Sequence, residues 1–106
     1  FGAFTNQTFQ PRQGHYGNGE CFLWKRETDS DTFIKYASTG KNNYFIMSDS
    51  EYLAIGCGNG KFGLWLDKDL FKGNSDPVPT FDNEQLSTNP QFDCMAIEIW
   101  GLDLHE

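Results

Sequence analysis

A mainly β fold, two antiparallel sheets packed as a sandwich with little helix, is what this 106-residue sequence predicts. Three observations carry the prediction. Strand-prone runs recur about every eight to twelve residues, the spacing of an antiparallel sandwich. No stretch of about twelve residues keeps the period of an amphipathic helix. The third observation is the run Leu53-Ala54-Ile55-Gly56-Cys57-Gly58-Asn59-Gly60-Lys61-Phe62-Gly63-Leu64-Trp65-Leu66-Asp67, which enters a glycine cluster as one strand and leaves it as another. Glycine serves where φ is positive or another backbone comes close, so the Gly-x-Gly-x-Gly spacing reads as a hairpin turn with a bulge. A phosphate-cradling loop would need a helix next, and Phe62, Leu64 and Leu66 alternate as a strand does.

In chain order, residues 1–4 read as the end of a strand whose beginning precedes Phe1. Residues 5–19 are polar and hold Pro11, Gly14, Gly17 and Gly19, a loop. Residues 20–26 (Glu-Cys-Phe-Leu-Trp-Lys-Arg) are apolar on both faces through Trp24, which predicts a central strand. A charged turn over residues 27–31 leads to a short strand at residues 32–36 and a turn at residues 38–42. Tyr44, Phe45 and Ile46 mark a strand over residues 43–47, closed by Ser48-Asp49-Ser50. Residues 52–55 form the strand that runs into the glycines. Residues 62–66, the acidic turn Asp67-Lys68-Asp69 and residues 70–72 make a hairpin. Residues 73–90, with Pro77, Pro79 and Pro90, form a long irregular segment of the kind that is functional or pinned by its neighbours. Residues 93–100 alternate Met95, Ile97 and Ile99 against Ala96, Glu98 and Trp100, a closing strand. No repeat or internal boundary divides residues 1–106, so they read as one domain.

The apolar share is 38%, but aromatics reach 16%, with ten Phe and three Trp. Each ring can bury ~150–250 Å², so a packed core is within reach. Eight basic against fifteen acidic residues give a net charge of −7, which opposes nucleic-acid phosphates and anionic lipid surfaces. No run approaches the ~18 apolar residues that cross a bilayer, and no signal peptide is visible. Cys21, Cys57 and Cys94 are odd in number and scattered, which argues for a reducing compartment over a disulfide scaffold. Asn6-Gln7-Thr8 matches the glycosylation sequon, a triplet short enough to arise by chance.

Candidate chemistry is thin. His15 and His105 are the two histidines, too few and too far apart for a zinc site, and no metal or cofactor is expected. His15 and Cys21 are near enough in sequence for a thiolate pair, yet Cys21 sits in an apolar strand as a small core residue would. Cys57, between two glycines, is the most plausible exposed thiol, with no neighbouring base to activate it. The acidic pairs Asp29/Asp31, Asp49/Glu51 and Asp67/Asp69 fall in turns, where such side chains bond the turn backbone. Residues 67–76 lack the ligand spacing of a calcium loop, and glycosidase chemistry by paired carboxylates stays open at this level. Glu20 follows Gly17-Asn18-Gly19 and immediately precedes a buried strand. Its carboxylate is placed either at the rim of the core or on its own loop's amides.

At Gly17-Asn18-Gly19-Glu20-Cys21-Phe22-Leu23-Trp24 the sequence resembles the TLDc domain, the module of the oxidation resistance proteins. The resemblance continues in order through Thr39-Gly40, Asn43-Tyr44-Phe45-Ile46, the run from Leu53 to Gly60, Phe62-Gly63-Leu64-Trp65-Leu66-Asp67 and residues 70–75. It closes with Thr80-Phe81-Asp82-Asn83, Leu86-Ser87 and Ile97-Glu98-Ile99-Trp100, so it covers nearly the whole sequence. The wording from Gly17 to Lys25 is most similar to the fungal members. The sequence departs from the family at Ser48-Asp49, where Gly-Asp is usual, and in a sparser glycine run. The family's domain begins well before Phe1, with helices and a strand. By resemblance residues 1–106 are therefore a partial domain, its hydrophobic face completed by the missing N-terminal segment.

The resemblance implies a two-sheet β-sandwich with few short helices. It also implies a non-enzymatic interaction module for oxidative stress resistance, which binds subunits of the vacuolar-type proton-pumping ATPase and promotes its disassembly. The implied location is cytoplasmic, at the vacuolar membrane surface, or mitochondrial, without membrane insertion. The contact residues expected on the glycine turn and the long loop are Gly56, Gly58, Gly60, Trp65, Gly73, Ser75, Phe81 and Asn83, with Gly19 and Glu20 bracing the first loop. No catalytic residue is assigned. Two alternatives from other classes are a redox-active or hydrolytic enzyme using Cys57 or Glu20, and a carbohydrate-binding sandwich that uses aromatics beside acidic turns.

Overall fold

The computed structural model describes residues 1–7, 14–27 and 31–97. Strands β1 (Gly2–Phe4), β2 (Phe22–Arg26) and β3 (Phe33–Ala37) form one antiparallel sheet in the order β1-β2-β3. Strands β4 (Ile46–Ser48), β5 (Tyr52–Gly58), β6 (Lys61–Asp67), β7 (Lys72–Asn74) and β8 (Gln91–Asp93) form a second, a meander in which each strand pairs with the next. The two-sheet β fold is as the sequence predicts. The described residues contain no helix.

β2 is the central strand of its sheet, which explains its apolar residues on both faces. Leu23 is fully buried against the second sheet, while Phe22 and Trp24 lie on the far side, with Phe4 stacked on Phe22. The sheets meet where Leu23 lies on Gly63: a Cβ there would come 2.8 Å from Leu23 Cδ1. Around that contact the core gathers Cys21, Ile46, Ile55, Leu64, Phe45 and Tyr16. Burying one such side chain contributes ~1.5–3 kcal/mol.

The hairpin turn lies further along than the glycine spacing suggests. β5 runs on through Gly56, Cys57 and Gly58, and the turn is Asn59-Gly60, with φ of 56° and 76°. Both positive values define the tight two-residue turn that matches strand twist, and Asn-Gly is the pair that adopts it most readily. No bulge is present, because Ile55 faces Leu64 and Cys57 faces Phe62, leaving Gly56 opposite Gly63 with no extra residue.

Three other expected boundaries move. The strand predicted over residues 43–47 begins at Ile46, because Asn42 Oδ1 accepts from Tyr44 N–H and holds the preceding residues as a turn. Leu70, with φ of 58°, belongs to the turn after β6, so the next strand starts at Lys72. The closing strand predicted over residues 93–100 is β8, ending at Asp93. Its partner β7 begins at Lys72, opposite Asp93; one further bond, from Cys94 N–H to Phe71 O at 2.7 Å, ends the pairing, and Met95 is 94% exposed. Residues 98–100 lie outside the described residues.

Candidate functional site

The irregular segment from Ser75 to Pro90 is held from within. Its residues Val78, Phe81 and Leu86 are buried in the core. They reach it because β5 and β6 carry glycines where the segment crosses. A Cβ on Gly56 would meet Phe81 at 2.8 Å and Val78 at 3.1 Å, and one on Gly58 would strike the Pro79 ring. Glycine is required at position 56 twice over, since its φ is also +79°.

Hydrogen bonds complete the cradle. Buried Thr80 Oγ1 accepts from Cys57 N–H at 3.1 Å and lies 3.0 Å from Cys57 O and 2.8 Å from Asn42 Oδ1. Asn42 Nδ2 donates to the same Cys57 carbonyl. Thr39 donates its N–H to Thr80 O and its hydroxyl to Pro79 O. Ser75 donates from Oγ to Gly63 O and accepts from Leu86 N–H. Asn83 accepts from Val78 N–H and donates to Asp76 O and Glu84 O. A buried polar group left without a partner costs about 1–3 kcal/mol, so this network fixes the segment in one shape.

Of the expected contact residues, Gly56, Gly58, Ser75, Phe81 and Asn83 therefore come together as the cradle and what it holds. Ser75, Phe81 and Asn83 are at most 3% exposed, so their side chains shape the surface from below. Gly60 is exposed at the hairpin tip. Trp65 and Gly73 are elsewhere on the five-stranded sheet: Trp65 stacks on Tyr52, and Gly73 is covered by the Phe92 ring across the strand pair. What the cradle presents outward was not singled out by sequence. The exposed Lys41 and Asp82 form an ion pair at 2.8 Å, and beside the anchored Thr39 and Asn42 stands Tyr44, 45% exposed. Asp82, a non-glycine residue at positive φ (45°), lies in the turn that Asn83 ties down, and nothing in its sequence pattern marks it.

The first loop is braced differently than expected. Asn18 Oδ1 accepts from Glu20 N–H, and Asn6 Oδ1 accepts from Asn18 N–H and from the Cys21 thiol. The Glu20 side chain is exposed, so its backbone and not its carboxylate takes part. The glycine the loop needs is Gly17, with φ of 88° and Ile46 within 2.8 Å of a notional Cβ; Gly19 has ordinary φ and room beside Ser38.

Burial favours the neutral form of two thiols. Burial pushes the Cys57 thiol above its ordinary value, against a smaller opposing effect of the Gly58 backbone, and burial raises Cys94 likewise. A raised pKa leaves less thiolate, the nucleophilic form. Cys21 is fully buried and engaged with Asn6. Asp49 and Asp67 cap turns by accepting from backbone N–H groups of Glu51, Tyr52 and Phe71. Asp29 lies outside the described residues. Among the described residues no group of three His, Cys, Asp or Glu side chains could hold a metal, and no helix is long and apolar enough to cross a membrane.

Comparison with known proteins places this architecture. The family profile described as the TLDc domain matches residues 1–103. The chain is 43% identical over 101 residues to an oxidation resistance protein 1 of Yarrowia lipolytica, covering 94% of this chain and 43% of that protein. It is 45% identical over 101 residues to the Bos taurus oxidation resistance protein 1, covering 95% of this chain and 11% of the relative. To nuclear receptor coactivator 7 of Homo sapiens it is 41% identical over 103 residues, 97% of this chain and 11% of that protein. The chain thus spans less than half the length of the relatives it matches.

Proposed function

From a chain that belongs to the TLDc domain family, we propose a non-enzymatic protein-interaction module that serves oxidative stress resistance by binding subunits of the vacuolar-type proton-pumping ATPase and promoting its disassembly. Its place of action in this reading is the cytoplasm, at the vacuolar membrane surface or in mitochondria. Similarity to proteins named for oxidation resistance supports the physiological part. The carrying observation is the glycine cradle. It fixes the segment around Thr80 by buried bonds and presents Lys41, Tyr44 and Asp82 on a rigid base. A pre-ordered surface loses little entropy on binding.

Disassembly by binding requires that the module prefer the separated state of the pump, since a ligand shifts an equilibrium only by its difference in affinity between two states. The module then acts stoichiometrically, without turnover. The test is capture of purified pump subunits by the protein carrying Lys41→Glu or Tyr44→Ala. Both positions are exposed, so folding persists. A loss of about tenfold in affinity, ~1.4 kcal/mol, is expected, and binding equal to wild type contradicts the assignment. Cys57→Ser should leave protection of cells from peroxide unchanged. A loss with the fold intact would return the thiol enzyme to consideration.

A further inference from the structure

Asparagine followed by glycine is a chemically weak pair, because no side chain shields the glycine nitrogen from the asparagine amide. The sequence holds two such pairs, Asn18-Gly19 and Asn59-Gly60, and the structure treats them differently. Asn59-Gly60 is the tip of the β5–β6 hairpin, with both residues exposed and both at positive φ, 56° and 76°. The ladder behind it closes at Gly58 and Lys61. Among the described residues nothing bonds the Asn59 side chain or the Gly60 N–H. A Cβ on Gly60 would meet nothing within 4 Å.

Asn18 is exposed too, but it is held on three sides. Its Oδ1 accepts from Glu20 N–H at 2.8 Å, its carbonyl accepts from Cys21 N–H, and its own N–H donates to Asn6 Oδ1. Asn74 precedes buried Ser75, whose N–H is taken by Pro90 O. Asn89 precedes Pro90, which has no N–H.

We propose that Asn59 deamidates spontaneously, the Gly60 nitrogen attacking its side-chain amide, and that the product loosens the hairpin behind it. A rotation of the Asn59–Gly60 backbone brings the nitrogen onto Cγ, and the open tip permits it. The new N–Cγ bond closes a succinimide ring as the Cγ–Nδ2 bond breaks, and Nδ2 leaves as ammonia with the Gly60 proton. Water then opens the ring. Cleavage at Cγ gives aspartate, and cleavage between that nitrogen and the main-chain carbonyl carbon gives isoaspartate. Either product adds a negative charge to the tip. Isoaspartate also routes the chain through Cβ and Cγ, which lengthens a two-residue turn matched to the strand twist. The misfit falls on Gly58, packed against Pro79, and on Cys57, bonded to Thr80.

The reaction consumes only water and is independent of pump binding. For the test, the full protein is incubated at mildly alkaline pH, either folded or unfolded in urea. Its peptides are then mapped by mass and by methyl transfer from an isoaspartyl methyltransferase. In the folded protein Asn59 should convert at least about tenfold faster than Asn18. In urea the two pairs should convert together, because the bonds that hold Asn18 are gone. Gly60→Ala should slow conversion of Asn59, since a methyl group crowds the attacking nitrogen. Asn59→Asp carries the charge without the longer chain, so its denaturation midpoint should lie above that of the isoaspartyl form. Three results would each overturn the proposal: Asn18 converting alongside Asn59 in the folded protein, Asn59 staying intact while the unfolded chain converts, or an isoaspartyl form as stable as Asn59→Asp.

Discussion

Gly56 shows how a single atom decides the architecture. Its φ of +79° and the Phe81 ring 2.8 Å from a notional Cβ leave no space for a side chain. Gly56→Ala is expected to lower stability by about 2–4 kcal/mol, combining left-handed strain with overpacking, read as a fall in the denaturation midpoint. Gly40, also at positive φ but with nothing within 4 Å, should lose only the strain part, about 1–2 kcal/mol. His15 gives a pH dependence at the same scale. Among the described residues its Nδ1 is buried without a partner, its ring lies 4.4 Å from Tyr44, and burial lowers its pKa. The unfolded chain therefore takes up the proton first. The His15 contribution is complete above about pH 6.5, the unfolded value, and declines as pH falls toward the lower folded value. His15→Gln should flatten that part of the stability curve relative to wild type. An identical pH dependence in both proteins would remove the assignment.

At the scale of elements, the β5–β6 hairpin is where sequence and structure agree in kind and part in detail. The apolar runs on either side of the glycines specify two paired strands, and alternation in residues 62–66 fixes their register. The glycines themselves have two different jobs that spacing alone does not separate. Gly60 makes the turn with Asn59, while Gly56 and Gly58 make room for Val78, Pro79 and Phe81, and Gly63 makes room for Leu23 in the other sheet. Long-range packing of that kind leaves no local periodic trace. Gly60→Ala should destabilise by about 1 kcal/mol through its positive φ alone, with no loss of pump binding if the Thr80 segment makes the contact. For a complementary reason, residues 94–97 of the predicted closing strand do not extend β8. Their alternation is real, but a strand also needs a partner, and β7 is only three residues long.

For the whole molecule, β2 was legible as central because apolar residues on both sides require two covered or crowded faces, and Leu23 and Trp24 occupy them. The candidate surface was less legible. Ser75, Phe81 and Asn83 stand out in sequence because they are built into the fold, and structural demand marks a residue as strongly as contact does. Their exposed neighbours Lys41, Tyr44 and Asp82 carry no periodic or compositional signal. They become a surface only when residues 38–44 and 78–83 are drawn together by Thr39, Asn42 and Thr80. The most direct measurement is backbone hydrogen exchange of the full protein with and without purified pump subunits. The account predicts added protection at residues 39–44 and 79–84 on the rigid sandwich. Saturating pump subunits with unchanged exchange in both segments would contradict it.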